Sequence, residues 1–211
     1  MRIFLDSANV DEISEAFQTG LIEGVTTNPP LISKSDQDPI HVYRELEVLG
    51  IKDISMEVMG TELDMIDEAL QLAEDFADVA TIKLPMTRAG LNVCRYLKGY
   101  NLRTNVTLVF NAAQALLAAK SGATYVSPFV GRIDDQGYAG LEVVRSIAAL
   151  YAQTGQSTQV LAASIRTPHR AVRSFFNGAS IVTMPPSVFW KMYDHVLTDV
   201  GLDIFERDAN S

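Results

Sequence analysis

Lys83 is the residue whose setting in this sequence most clearly indicates chemistry. It interrupts the apolar run Ala80–Leu84, where a β-strand pattern would place another hydrophobic residue. An amine held among apolar side chains loses hydration, which favours its neutral form, and a neutral amine can attack a carbonyl group to form a Schiff base. The alternative is a lysine at a strand edge whose ammonium group reaches solvent. This segment alone leaves both interpretations open.

Six further strand-like segments end in a polar residue that can react or form hydrogen bonds. These residues are Asp6, Asn28, Glu57, Thr107, Ser127 and Ser164. If the segments are parallel strands of one barrel, their carboxyl ends meet at the same rim, where active sites of such barrels lie. The six residues and Lys83 therefore predict one shared site.

The predicted elements alternate between strand and helix along the whole chain. Strands are expected near residues 2–6, 23–27, 53–58, 80–84, 102–107, 123–127, 159–163 and 180–183. Helix-stop glycines stand at Gly20, Gly50, Gly122 and Gly178, and apolar helix faces are expected at Leu63, Ile66, Leu70, Ala73 and Phe76 and at Ala112, Ala113, Leu116 and Leu117. Eight strands alternating with eight helices predict a (β/α)8 TIM barrel with an additional C-terminal helical tail after Pro186.

Composition favours one domain over residues 1–211, because no Pro/Gly/Ser-rich linker or charge block divides the chain. The formal net charge of −9 argues against nucleic acid or an anionic membrane surface as a partner. Cys94 is the single cysteine, so no intrachain disulfide is possible and a reducing compartment is expected. Neither a signal peptide nor a run of about 18 apolar residues is apparent, so we expect a cytoplasmic location.

Metal and cofactor sites are not indicated by the motifs. His41, His169 and His195 are scattered, and no cysteine cluster exists, which argues against a zinc site. The pair Asp134–Asp135 could contact a hard cation, but a solvated loop pair is the expectation. Because no Gly-rich phosphate loop follows a predicted strand, we also expect no redox cofactor.

Two arginines indicate a phosphate site. Arg132 lies just beyond the sixth predicted strand, and Arg166 lies just beyond the seventh. Late loops of such barrels often bind phosphate through guanidinium groups and backbone N–H groups. A surface ion pair is the alternative for each arginine taken separately.

Five motifs, in order, resemble the small transaldolases, the family that also contains fructose 6-phosphate aldolase. They are Gly24-Val25-Thr26-Thr27-Asn28-Pro29, Ile82-Lys83-Leu84-Pro85, Asn105-Val106-Thr107 with Ala112-Ala113-Gln114-Ala115, Ser127-Pro128-Phe129-Val130-Gly131-Arg132-Ile133-Asp134, and Ala162-Ala163-Ser164-Ile165-Arg166. The similarity extends from Asp6 to about Pro185. It implies transfer of a dihydroxyacetone unit between sugar phosphates in the non-oxidative pentose phosphate pathway, without a cofactor.

The resemblance also implies a role for each matching residue. Lys83 would form the Schiff base, Asp6 would accept the C4 hydroxyl proton, and Glu57 with Thr107 would activate a water. Asn28, Asn105 and Ser127 would bind the dihydroxyacetone unit. Arg132, Ser164 and Arg166 would bind phosphate, and Phe129 would form an aromatic wall near the water.

Three functional alternatives remain to be weighed. The aldolase branch typically has glutamine and tyrosine where this chain has Glu57 and Phe129, so both residues favour transaldolase, with fructose 6-phosphate aldolase second. A catalytically silent phosphosugar-binding barrel or an oligomeric scaffold is a third possibility, since a fold alone guarantees no reaction. The apolar tail, about residues 196–211, is expected at a subunit interface of a homo-oligomer, which the family resemblance implies is often a decamer, or else folded on its own barrel.

Overall fold

Eight parallel strands form a closed barrel in sequence order, with β8 paired to β1. The strands are β1 (Arg2–Asp6), β2 (Gly24–Thr26), β3 (Ile54–Glu57), β4 (Ala80–Pro85), β5 (Thr104–Val109), β6 (Tyr125–Pro128), β7 (Gln159–Ala162) and β8 (Ile181–Met184). The computed structural model describes residues 1–210. Each strand lies within two residues of its predicted bounds. The predicted (β/α)8 barrel is therefore confirmed.

Helices surround the barrel and follow its last strand. They are α1 (Val10–Phe17), α2 (Pro29–Ser35), α3 (Pro39–Leu49), α4 (Glu62–Asp75), α5 (Arg88–Lys98), α6 (Ala112–Lys120), α7 (Val130–Asp135), α8 (Gly140–Thr154), α9 (Pro168–Phe176), α10 (Pro186–Trp190) and α11 (Val196–Ala209). The expectation of one helix per connection was wrong after β2 and β6, which are each followed by two. After β2, left-handed Asp36 (φ 56°) ends α2, and Asp38 then caps α3 at Pro39.

The predicted apolar faces of two helices were partly wrong. At α4, Phe76 is buried and Ile66 and Leu70 pack against the core as expected, but Leu63 is 73% exposed, and the residues buried within the helix are Met65, Ala69 and Leu72. In α6, Ala115, Ala118 and Ala119 are buried, whereas Leu117 is 53% exposed. The helices themselves form where they were expected.

Side chains alternate along each strand between the helices and the barrel interior. The interior holds a small apolar cluster of Phe4, Tyr125, Leu161, Ala163 and Ile181. Gly24 is required in this layer, since a Cβ atom there would lie only 2.6 Å from Cζ of the Phe4 ring. The Phe4 ring therefore fills the barrel centre. Asp6 follows two residues later on the same face of β1 and lies above the ring.

A polar network fills the amino-terminal end of the barrel. The buried Asp53 carboxylate accepts hydrogen bonds from the Thr81 hydroxyl at 2.7 Å and from the Tyr125 hydroxyl at 2.6 Å. Arg2 contributes an ion pair to Asp53 at 3.5 Å. Burial, and then the Asp53 charge, raise the pKa of Tyr125, so its proton stays on the hydroxyl that binds Asp53.

Helix α11 presents large apolar side chains to its surroundings. Leu197 and Phe205 are 70% and 71% exposed, and no residue of the helix is buried. Within residues 1–210, none of the helices combines the length and the apolar character that a membrane crossing requires.

Candidate active site

A cavity of about 100 Å³ opens at the carboxyl ends of the strands. It is lined by Asp6, Thr26, Asn28, Lys83, Asn105, Thr107, Ser127, Phe129, Arg132, Ala163, Ser164 and Thr183. Six of the seven predicted strand-end residues line this cavity, and the seventh, Glu57, contacts Lys83. The structure thus brings the predicted group together at one rim.

Lys83 is 4% exposed and has two polar partners in addition to its apolar neighbours. Its Nζ lies 2.8 Å from Oε2 of Glu57 and donates a hydrogen bond of 2.7 Å to the carbonyl oxygen of Thr27. Glu57 and Lys83 are register partners on β3 and β4, which sets the two side chains side by side. An ammonium group becomes nucleophilic only when its proton moves to an acceptor, and the Glu57 carboxylate is in direct contact.

Asn105 is fixed by a hydroxyl on each side of its amide. Its Nδ2 donates to Ser55 Oγ at 3.1 Å, and Ser127 Oγ donates to its Oδ1 at 2.7 Å. All three residues are buried. The network defines the orientation of the amide next to Lys83, its register partner on β4.

Thr107 is the one buried side chain of residues 1–210 whose polar atom, Oγ1, lacks a protein hydrogen-bond partner. The residue is 1% exposed and follows Asn105 on the inner face of β5. The next residue, Leu108, has a φ of 59°, and the pairing of β5 with β6 shifts register between Val106 and Val109. A buried hydroxyl without a partner at a cavity wall is available to a ligand or a water.

Asp6 is held by a neighbouring hydroxyl and by opposing charges. Thr26, its register partner on β2, donates to Asp6 Oδ1 at 2.8 Å. Burial raises the pKa of Asp6 above its ordinary value, and Lys83 opposes that rise. The Thr26 hydrogen bond also lowers the pKa, the Glu57 charge raises it, and Arg132 lowers it. A carboxyl group with a raised pKa is suited to accept and return a proton.

Asn28 joins the cavity to the start of α2. Its Oδ1 caps the helix by accepting a hydrogen bond of 3.0 Å from the backbone N–H of Leu31. The acceptor of the amide is thereby engaged, which leaves the NH₂ group to donate to a ligand.

The predicted phosphate residues meet where the loops after β6 and β7 touch. Arg132 and Ser164 line the cavity, and the Arg132 guanidinium lies 4.9 Å from the centre of the Phe129 ring. Gly131 allows the close approach, since a Cβ there would lie 2.3 Å from the Ser164 carbonyl oxygen. Ser164 adopts a φ of 58°, a strained value for a residue other than glycine.

Arg166 forms a surface ion pair with Asp135, the alternative interpretation that the sequence left open for it. Its two terminal nitrogens donate to both oxygens of Asp135, at 2.5 and 2.6 Å, and it does not line the cavity. Asp134 lies 3.2 Å from Arg170 and accepts the backbone N–H of Gly140. The Asp134–Asp135 pair thus lies at the end of α7 and not in a loop, and each carboxylate has an arginine partner, while the Asp135 side chain remains 47% exposed.

Three polar residues of the site lie outside the predicted set, namely Ser55, Thr26 and Thr183. Ser55 and Thr26 each stand two residues before a predicted site residue and so share its face of the strand. Thr183 interrupts the apolar β8 in the same way that Lys83 interrupts β4. The period-two alternation was the signal that could have found all three.

Comparison with known proteins gives a consistent result. Residues 3–210 match the family model described as Transaldolase/Fructose-6-phosphate aldolase. Proteins named "Probable transaldolase" are similar: that of Caulobacter vibrioides is 46% identical over 99% of this chain and 96% of its own length, and that of Thermodesulfovibrio yellowstonii is 44% identical over 99% and 97%. A third, from an Exiguobacterium species, is 45% identical over 100% and 98%. The chain belongs to the transaldolase/fructose-6-phosphate aldolase family.

Proposed function

We propose that this protein is a transaldolase that acts through a Schiff base on Lys83. It would transfer a dihydroxyacetone unit from sedoheptulose 7-phosphate or fructose 6-phosphate to glyceraldehyde 3-phosphate or erythrose 4-phosphate, a reaction of the non-oxidative pentose phosphate pathway. The observation that carries the proposal is the buried contact of 2.8 Å between Lys83 and Glu57, beside a cavity that Asp6 also lines.

Imine formation begins with proton transfer from the Lys83 ammonium to Glu57. The neutral amine then adds to the C2 carbonyl of the ketose phosphate, and the carbonyl oxygen leaves as water. That water is released next to Thr107, whose free hydroxyl could hold it. Glu57 and Thr107 together would return the same water when the imine is hydrolysed.

Carbon–carbon cleavage needs a base and an electron sink. Asp6 takes the proton of the C4 hydroxyl, the C3–C4 bond breaks, and its electron pair forms an enamine with the Lys83 nitrogen. The aldose phosphate leaves, and C3 of the enamine then attacks the carbonyl carbon of a second aldehyde to form the new C3–C4 bond. Asp6 then returns its proton to the new hydroxyl. A carboxyl group whose pKa is raised by burial suits both directions of this transfer.

The cavity beside Lys83 is small, about 100 Å³. This space suits a three-carbon unit attached to Lys83, with Asn28, Asn105 and Ser127 around its hydroxyl groups. The phosphate end of a longer sugar would extend to the mouth, toward Arg132, Ser164 and Arg166.

Fructose 6-phosphate aldolase is the second candidate function. Release of free dihydroxyacetone requires a proton donor at the enamine, and Phe129 has no proton to give. Glu57 in place of glutamine also favours transfer. A silent sugar-phosphate-binding barrel is disfavoured because an amine, a carboxylate and a free hydroxyl line one cavity, and a second carboxylate contacts the amine.

The acceptor dependence of turnover tests the proposal. The protein is incubated with fructose 6-phosphate, with and without erythrose 4-phosphate, and both glyceraldehyde 3-phosphate and free dihydroxyacetone are measured. Turnover that requires the acceptor supports transaldolase. Free dihydroxyacetone without acceptor supports aldolase, and absence of both products from folded protein supports the silent barrel.

The oligomeric state belongs to the same proposal. The one-domain barrel would carry its tail, about residues 196–211, to a neighbouring copy of the chain, because α11 exposes a row of large apolar residues. Light scattering on the full chain and on a chain ending at Asp194 tests this expectation. A homo-oligomer, decameric or smaller, should lose subunits when the tail is removed.

A further inference from the structure

Thr183 is a buried hydroxyl of the cavity wall that the proposed mechanism does not use. It is 2% exposed and lies on β8, the strand that pairs with β1 on the side opposite β2. Its Oγ1 is 2.7 Å from Oγ1 of Thr26, which is 3% exposed. Thr26 in turn lies 2.8 Å from Oδ1 of Asp6. The two hydroxyls and the carboxylate therefore form a continuous hydrogen-bonded relay, Thr183–Thr26–Asp6.

Strand register explains why these three side chains meet. Asp6 pairs with Thr26 across β1 and β2, and Phe4 pairs with Thr183 across β1 and β8. Phe4 and Asp6 face the barrel interior, and the ring of Phe4 fills the space beside Gly24. The two threonines approach each other from the strands on either side of β1, next to the Asp6 carboxylate.

The number of available protons fixes the donor and the acceptor of each hydrogen bond in the relay. A hydroxyl has one proton to donate, and a carboxylate has none. While Asp6 is ionised, Thr26 must donate to Oδ1, so the proton shared between the threonines must come from Thr183. A proton placed on Oδ1 would reverse both hydrogen bonds. The relay thus reserves Oδ1 as an acceptor and leaves Oδ2 to take the substrate proton.

We propose that Thr183 is a positioning residue that, through Thr26, fixes the orientation of the Asp6 carboxylate and assigns proton exchange to Oδ2. The inference rests on the proposed function, since it concerns the base of that reaction. It adds a residue on the eighth strand to the machinery, one that acts on Asp6 through the Thr26 hydroxyl.

Three other charged groups face Asp6 and also influence its pKa. They are Lys83 from β4, Glu57 from β3 and Arg132 from α7. Replacing Thr183 by valine leaves all three in place and removes only the donor behind Thr26. A weaker donor from Thr26 stabilises the carboxylate less, so the pKa of Asp6 should rise further. The acid limb of the pH–rate profile should then move to higher pH.

The test compares pH profiles of kcat/KM for Thr183→Val, Thr183→Ala and Thr183→Ser with that of the parent. We expect a loss of about three- to tenfold at neutral pH for the valine and alanine variants, the value of one hydrogen bond. The acid limb of their pH profiles should shift to higher pH. Thr183→Ser should restore both the parent kcat/KM at neutral pH and the parent acid limb. Thr81→Val is the matched control, because Thr81 donates to the buried Asp53 at the other end of the barrel. Its acid limb should not move.

A direct titration separates this inference from the proposed function. The carboxyl ¹³C shift of Asp6 is followed against pH in the parent and in Thr183→Val. An upward-shifted titration supports the relay. Superimposed titrations and superimposed acid limbs would overturn it, even if the parent is an active transaldolase. A parent without acceptor-dependent turnover would overturn the proposed function, and with it any positioning role for Thr183 in that reaction.

Discussion

Replacement of Glu57 by glutamine tests the buried ion pair on which the proposed chemistry depends. The side chains of Lys83 and Glu57 are 6% and 11% exposed. Removal of one partner from a buried ion pair costs about 3–5 kcal/mol, because the other charge stays buried without compensation. The amide oxygen of glutamine can still accept a hydrogen bond from Nζ, so we expect the lower end of this range, about 3 kcal/mol.

The expected cost converts directly into a shift of the melting temperature. In a chain of this size, a loss of about 3 kcal/mol lowers the melting temperature by about 6–12 °C.

The assay is a thermal melt of the parent, Glu57→Gln and a control, Glu142→Gln. Glu142 pairs with Arg145 in α8, but these side chains are 54% and 66% exposed, so the control should melt like the parent. Glu57→Gln should also form the covalent adduct with fructose 6-phosphate more slowly, because the acceptor for the Lys83 proton is lost. A variant that melts with the control and forms adduct at the parent rate would refute the reasoning.

Three further substitutions probe other parts of the site. Phe129→Tyr adds a proton donor near the enamine and should raise release of free dihydroxyacetone at the expense of transfer; release at the parent level would count against this. Asp135→Asn frees the exposed Arg166 and should lower the KM for a phosphorylated donor about two- to fivefold; an increased KM would mean that Asp135 holds Arg166 in place. Asp6→Asn should abolish turnover yet raise the melting temperature at pH 7, because burial raises the pKa of Asp6 and its ionised form is costly to fold. That gain should fade as the pH falls through the raised pKa, where the parent Asp6 is protonated in the folded state; a gain independent of pH would contradict the explanation.

The barrel could be predicted because its strands are short apolar runs and several of its helices end at recognisable glycines. Gly20, Gly50, Gly122 and Gly178 all adopt positive φ, as their positions after predicted helices require. The rim could be predicted as well, since a polar residue at the carboxyl end of a strand in a closed parallel barrel lies at the rim where active sites are found. Strand ends and their polar residues are local signals, and they carried most of the site.

Buried faces and hydrogen-bond partners depend on packing that the sequence does not display. In α6, Ala115, Ala118 and Ala119 are buried, whereas Leu117 is 53% exposed. Periodicity identified the helix, but the predicted stripe of Ala112, Ala113, Leu116 and Leu117 missed these three alanines. The pairing of Arg166 with Asp135 and the relay through Thr183 likewise join residues far apart in the chain.

Reductive trapping tests the central role of Lys83 most directly. The full chain is incubated with fructose 6-phosphate, treated with borohydride, digested and analysed by mass spectrometry. Lys83→Met is the control, because it keeps an unbranched side chain and loses the amine. We predict a reduced three-carbon or sugar-phosphate adduct on the peptide that contains Lys83, and none in the control. Folded parent protein without an adduct, or with its adduct on another lysine, would contradict the account.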